Sequence, residues 1–225
     1  MKTKWVEFLV VGLFLASIMG PEVAQSVDAE AMIKVGTIQL LDHGKNFQHH
    51  PAIAVGANVI DGDKIVWTFT PEFWKKLDQS NPTPDFGAQF FATLGYKFVL
   101  GKSVFVPYIG LNPGYWNRTL NPHFHVNGQD NQHWSWVEYL YFPVGVLFGY
   151  ADRFYADLGL SFPGPWKTNL KYSGQIFFGA PHFYGEAGIF LAKKKIRVGV
   201  FYDERAFERF NSDIHTQGIR LGYFF

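Results

Sequence analysis

Phe183–Tyr202 reads FYGEAGIFLAKKKIRVGVFY, and it decides the fold. Phe183, Gly185, Ala187, Ile189 and Leu191 fall on one face of an extended chain, with Tyr184, Glu186, Gly188 and Phe190 on the other. After a lysine-rich break, Ile196, Val198, Val200 and Tyr202 alternate with Arg197, Gly199 and Phe201. A period of two belongs to strands, not helices. A tight turn at Lys193-Lys194 pairs Leu191 with Ile196 and Ile189 with Val198, so both apolar sets stay on one side of the hairpin, as two joined strands require.

The same pattern extends in both directions. Phe154, Ala156, Leu158, Leu160 and Phe162 form one face of a strand, and Ala88 through Leu100 give a longer one. Turns at Gly101-Lys102, Ala151-Asp152-Arg153 and Asp61-Gly62-Asp63 pair Phe98 with Phe105, Tyr150 with Phe154 and Val59 with Ile65. The segments 31–42, 52–60, 64–74, 86–100, 103–117, 134–150, 154–162, 179–192, 195–208 and 215–225 make ten strands; the first alternates poorly, which leaves eight as the alternative. The connections at the opposite ends, 43–51, 75–85, 117–133, 163–178 and 209–214, are long and rich in His, Asn, Pro and Trp. Short turns at one end and long loops at the other, with an even strand count, predict an all-β, closed antiparallel transmembrane barrel with short periplasmic turns and long outer loops.

Composition agrees. Of 225 residues, 48% are hydrophobic, 19% aromatic and 17% charged, yet the mean hydropathy is close to zero. Helical spans need about 20 consecutive apolar residues, and only Phe8–Gly20 approaches that. The 24 Phe, 11 Tyr and 7 Trp exclude a disordered chain. With 20 Lys and Arg against 19 Asp and Glu, the chain has no electrostatic footprint for nucleic acid. The absence of cysteine excludes disulfides, thiol catalysis and thiolate metal sites. Lys2 and Lys4, the apolar run Phe8–Gly20 and the small residues around Ala24-Gln25-Ser26 read as a signal peptide over residues 1–26, leaving the barrel as 27–225.

The last ten residues, Thr216–Phe225, place Ile219, Leu221, Tyr223 and Phe225 on one face and end on an aromatic. This resembles the terminal recognition strand of bacterial outer-membrane β-barrel proteins. The resemblance implies export to the outer membrane of a Gram-negative envelope, contact with its lipid and lipopolysaccharide, and insertion by the barrel-assembly machinery, for which Tyr223 and Phe225 would be the signal. Leu94–Tyr115, with Phe105-Val106-Pro107-Tyr108-Ile109-Gly110, resembles a strand pair of the lipid A deacylase and OmpW-like barrels. Deacylases of that kind carry His-x-Ser-Asn on a late strand, whereas Tyr202–Ser212 contains no histidine. Lipid A palmitoyltransferase barrels admit acyl chains at proline-flanked gaps, and Pro107, Pro113 and Pro143 fall on the fifth and sixth strands here.

Inward positions include Lys97, Asp157, Glu186, Arg197 and Arg220, a lumenal network of both signs, together with bulky residues such as Phe91, Tyr139, Tyr155 and Phe201. Such a crowded interior predicts a plugged barrel. His182, Asp203, Arg205 and Ser212 gather near the outer rim and are the candidates for acid–base chemistry. His123, His125 and His133 have the spacing of a weak metal site, although no cofactor is expected. Three functions follow: a non-enzymatic barrel acting through its outer loops, an enzyme acting on lipid A or phospholipid through the rim residues, and a small pore, which the bulky interior disfavours.

Overall fold

A computed structural model describes residues 28–42, 45–46, 49–78, 84–117, 136–168, 181–207 and 212–225. The expected leader therefore lies outside the described residues, as do His123, His125 and His133. The strands are β1 (Asp28–Asp42), β2 (His50–Asp61), β3 (Ile65–Lys76), β4 (Phe86–Tyr96, resuming after Lys97 as Phe98–Leu100), β5 (Ser103–Asn117), β6 (Trp136–Tyr150), β7 (Phe154–Thr168), β8 (His182–Leu191), β9 (Ile196–Phe207) and β10 (Ser212–Phe224). A two-residue piece, Lys45–Asn46, folds back on Leu41 and Asp42. Each strand pairs antiparallel with the next, and β10 returns to β1 from Glu30↔Phe224 to Asp42↔Ser212. The sheet closes into a ten-stranded barrel with no unpaired edge. The doubtful first strand pairs on both sides, over Glu30–Asp42 with β10 and Asp28–Ile38 with β2, which decides ten over eight.

Three hairpin registers agree with those read from the turns: Leu191↔Ile196, Phe98↔Phe105 and Tyr150↔Phe154. The fourth does not, because Val59 lies opposite Phe69 rather than Ile65. The turn is widened by Asp61, whose carboxylate accepts the Gly62 N–H at 2.7 Å and the Trp67 indole N–H at 3.2 Å, with Gly62 at a φ of 113°. The slip is an even number of residues, so the apolar faces survive it. β7 also runs on to Thr168 and β10 begins at Ser212, so both are longer than the alternation suggested.

Among the described residues, those other than glycine in the left-handed region are Ala151 and Asp152 in the β6–β7 turn and Ala192, Lys193 and Lys194 in the β8–β9 turn. That backbone costs an ordinary residue about 1 kcal/mol or more, which glycine avoids at some entropic cost in the unfolded chain. Ala192→Gly is therefore expected to gain about 0.5–1 kcal/mol in urea unfolding followed by tryptophan fluorescence. A loss would show that the Ala192 methyl packs usefully.

Outward positions form a continuous apolar band with exposed members on every strand, among them Val35, Val55, Phe69, Leu94, Ile109, Val144, Leu160, Ile189, Val200 and Ile219. Outward-facing charges (Asp61, Lys75, Glu138, Glu204 and Asp213) lie within three residues of a strand end. Paired rings mark the turn end of the band: Tyr96 with Phe98, Phe105 with Phe148 and Tyr223 with Phe225, with centroids 5.0, 5.0 and 5.4 Å apart. Inside, Ile38, Leu40, Trp74, Trp116, Val137, Tyr139, Tyr141 and Ile214 form a buried cluster at the loop end.

Candidate functional site

The interior is organised around two carboxylates and two guanidiniums. Arg220, on β10, donates through Nη1 to both Glu186 oxygens at 2.9 and 2.8 Å, and through Nη2 to Glu30 Oε2 at 2.6 Å. Arg197, on β9, approaches Glu30 at 3.2 Å and Glu186 at 3.9 Å. The Tyr155 hydroxyl donates to Glu186 at 2.8 Å and the Asn58 amide to Glu30 at 3.3 Å. On the turn side the Arg197 guanidinium lies over Tyr155, Phe190 and Phe224, with centroids 4.5, 5.3 and 5.2 Å away. Glu30 is 1% exposed and each arginine 6%, so these charges compensate one another in the absence of bulk water.

A second group lies across the lumen. Glu72 on β3 pairs with Lys34 at 2.6 Å, accepts from Gln89 at 2.9 Å and accepts the Trp74 indole N–H. The Tyr108 hydroxyl meets Asp157 and lies 2.6 Å from the Tyr184 hydroxyl, and the Phe91 ring packs edge-on against both tyrosines. Lys34, Glu72, Gln89, Phe91, Tyr108 and Tyr184 line a partly open cavity of about 120 Å³, as do Thr68 and Thr93, whose hydroxyls are 2.7 Å apart. The tyrosines reach inward because glycines leave room for them: a Cβ on Gly159 would strike Tyr184, on Gly199 would strike Tyr155 and on Gly114 would strike Tyr139. Here glycine provides space for a neighbour's ring, not backbone freedom.

Towards the loop end, Arg205 pairs with Asp203, and its guanidinium lies 5.5 and 6.0 Å from the Tyr139 and Tyr141 ring centroids. His182 stands edge-on to Tyr141 at 5.9 Å. The register Tyr184↔Asp203 places His182 and Arg205 near each other towards the loop end, where both are buried among these rings. Ser212 opens β10, opposite Phe207 and Asp42, and does not join them in the ladder. A serine that the sequence reading missed, Ser161, lies directly opposite His182 across the β7–β8 ladder, and both are buried.

Of the expected lumenal residues, Glu186, Arg197 and Arg220 come together, and Asp157 lines the same cavity. Lys97 does not take part: it is the half-buried break in β4, and its backbone N–H donates to the Lys64 carbonyl at 2.8 Å. Glu30, Lys34 and Glu72 were missed, although the alternation of Glu30, Met32 and Lys34 with Ala31, Ile33 and Val35 carries the signal. Pairing between β5 and β6 runs from Ser103↔Tyr150 to Asn117↔Trp136 and lapses only at Gly110–Leu111 opposite Phe142–Pro143. Pro143 lies at that lapse, and Pro113 lies at a second one where β4 and β5 lose pairing between Gln89↔Gly114 and Ala92↔Leu111; each break spans two residues and the ladder resumes beyond it, while Pro107 sits within the β5–β6 ladder. Among the described residues no cluster of three or more His, Asp or Glu side chains could hold a metal ion.

No known protein family and no curated protein matches the chain. Solved structures similar to it include the outer membrane protease OmpT from Escherichia coli, at 10% identity and a TM-score of 0.48, covering 88% of this chain and 97% of that one. Ail, the attachment invasion locus protein of Yersinia pestis, in complex with the heparin analogue sucrose octasulfate, has 10% identity and a TM-score of 0.40, covering 89% and 100%. The translocator domain of the autotransporter NalP from Neisseria meningitidis has 12% identity and a TM-score of 0.40, covering 98% and 96%. With TM-scores below 0.5, these likenesses say nothing of what the chain does.

Proposed function

We propose that the chain is an integral barrel of the bacterial outer membrane, closed to flow, whose role is carried by its loop end, either in binding a ligand or partner or in maintaining the envelope. The observation that carries this reading is an apolar outer band without mid-strand charge around an interior filled by ion pairs and rings. Lipid rewards such a band, because a lysine or arginine facing the bilayer midplane costs about 2–4 kcal/mol. Tyr223 and Phe225 face outward and exposed at the closing strand, where the assembly machinery would read them; the Phe225 N–H donates to the Ala29 carbonyl at 3.1 Å. On this reading the short turns face the periplasm, and the loops meet lipopolysaccharide and the exterior.

Purified protein reconstituted into planar bilayers is expected to give no conductance steps even at high protein load. Regular steps would replace the scaffold with a pore.

The placement of Ser161 opposite His182, with Asp203 and Arg205 on the next strand, favours a second reading as an acyl hydrolase of lipid A or phospholipid. Mass spectrometry of lipids from cells expressing the protein or its His182→Ala variant separates the two. An acyl change that vanishes with the variant establishes the enzyme, and identical lipids leave the scaffold.

A further inference from the structure

The turn end of the barrel is cationic. Lys64, Lys97, Lys102, Arg153 and the run Lys193-Lys194-Lys195 stand against Asp28, Asp61, Asp63 and Asp152, while the whole chain carries a net charge of only +1. The charge is concentrated where two turns meet. The Phe190 N–H donates to the Arg153 carbonyl at 2.7 Å, tying the β6–β7 turn to the end of β8, and the two turns border a concavity of about 420 Å³ lined by Asp152, Arg153, Lys193 and Lys194 over the Phe190 ring. Lys194 Nζ lies 2.7 Å from Asp152, so one cation is partly compensated and the other two are free to take an anion.

The backbone supplies a second, independent observation. Among the described residues, every left-handed residue other than glycine belongs to these two turns. At Lys193 and Lys194, with φ of 56° and 72°, glycine would remove the strain and the charge together. Ala151 and Ala192 share this turn backbone, and Asp152, Lys193 and Lys194, three of the five such residues, line the cleft with charge. Just beyond the turns, on the outer face, Tyr150, Phe154, Leu191 and Ile196 are exposed and apolar. Cations above an apolar band match a lipid with an anionic head and acyl tails.

We propose that the cleft between the β6–β7 and β8–β9 turns seats the phosphate headgroup of an anionic glycerophospholipid in the leaflet at the turn end. Arg153 and Lys193 hold the phosphate, Lys194 shares its charge with Asp152, and the acyl chains run along the neighbouring outer face. This rests on the membrane reading above and adds a lipid preference to it.

The test uses the full-length protein in micelles containing equal amounts of phosphatidylglycerol and phosphatidylcholine, with retained lipid counted by native mass spectrometry. Wild-type protein is expected to retain phosphatidylglycerol at least fivefold over phosphatidylcholine. The triple variant R153Q/K193Q/K194Q should fall to parity, while Ala192→Gly and Lys64→Gln keep the preference. Parity in the wild type, an unchanged triple variant, or a Lys64→Gln loss as large as the triple variant's would each overturn the seat. Displacement of the lipid by inorganic phosphate but not by chloride at equal ionic strength would make it a site for free phosphate and overturn the lipid assignment. Insertion into phosphatidylcholine vesicles is scored separately: a chain that fails to insert overturns the membrane reading together with this one, and a chain that inserts without headgroup preference overturns only this inference.

Discussion

Arg220→Met is expected to lose about 3–5 kcal/mol of unfolding free energy, the cost of removing one partner from a buried ion pair. Arg220 bridges Glu30 and Glu186 more closely than Arg197 does, with three contacts between 2.6 and 2.9 Å. A methionine of similar length would fill much of the volume but leave Arg197 alone with two carboxylates, Glu30 at 3.2 Å and Glu186 at 3.9 Å. The deficit is in charge, so neutralising one carboxylate should recover part of it: Glu30→Gln combined with Arg220→Met should be more stable than Arg220→Met alone. Urea unfolding in phospholipid vesicles reads both. A loss below about 1 kcal/mol for the single variant would mean that water in the adjoining cavity solvates the carboxylates as well as the arginine does.

The second large effect lies on the opposite face of the wall. Val200 is 62% exposed near the middle of the apolar band on β9, and Ile196 begins the same strand beside the cationic turns. In lipid, Val200→Arg should cost about 2–4 kcal/mol and Ile196→Arg no more than about 1, since the penalty falls towards the interface. A barrel living in water would show neither cost and would become more soluble. The depth dependence is the discriminating quantity: equal, negligible effects in vesicles would remove the membrane from the interpretation.

Most of the architecture is legible because a barrel wall has a strict two-residue period and each tight turn ties the parity of one strand to that of the next. Parity also survives the error at Asp61-Gly62-Asp63, where a side-chain carboxylate widened the turn and no pattern of apolar residues could have reported it. The partners of the lumenal charges were less legible, for a physical reason. Glu30, Glu72 and Glu186 lie on strands whose relative heights depend on long connections, and alternation fixes which side a residue faces but not how high it stands. Ser161 was lost in the same way. Pro163 and Pro165 read as the start of a loop, yet β7 continues through them to Thr168, with a register shift opposite Tyr139 and Tyr141. Lys97 was misjudged because a strand break leaves parity intact while removing the residue from the wall's ladder.

The contact between Glu30 and Arg220 joins residues 190 positions apart, at opposite ends of the described chain. Glu30 cannot find this partner until the last strand has been delivered, so the pair carries one of the longest loop closures in the chain. Drying of the interior and docking of β10 against β1 thus become a single late event. A chain stalled before its final strand would leave Glu30 without Arg220 and β1 with an unpaired edge, so closure of the sheet and completion of the buried cluster coincide.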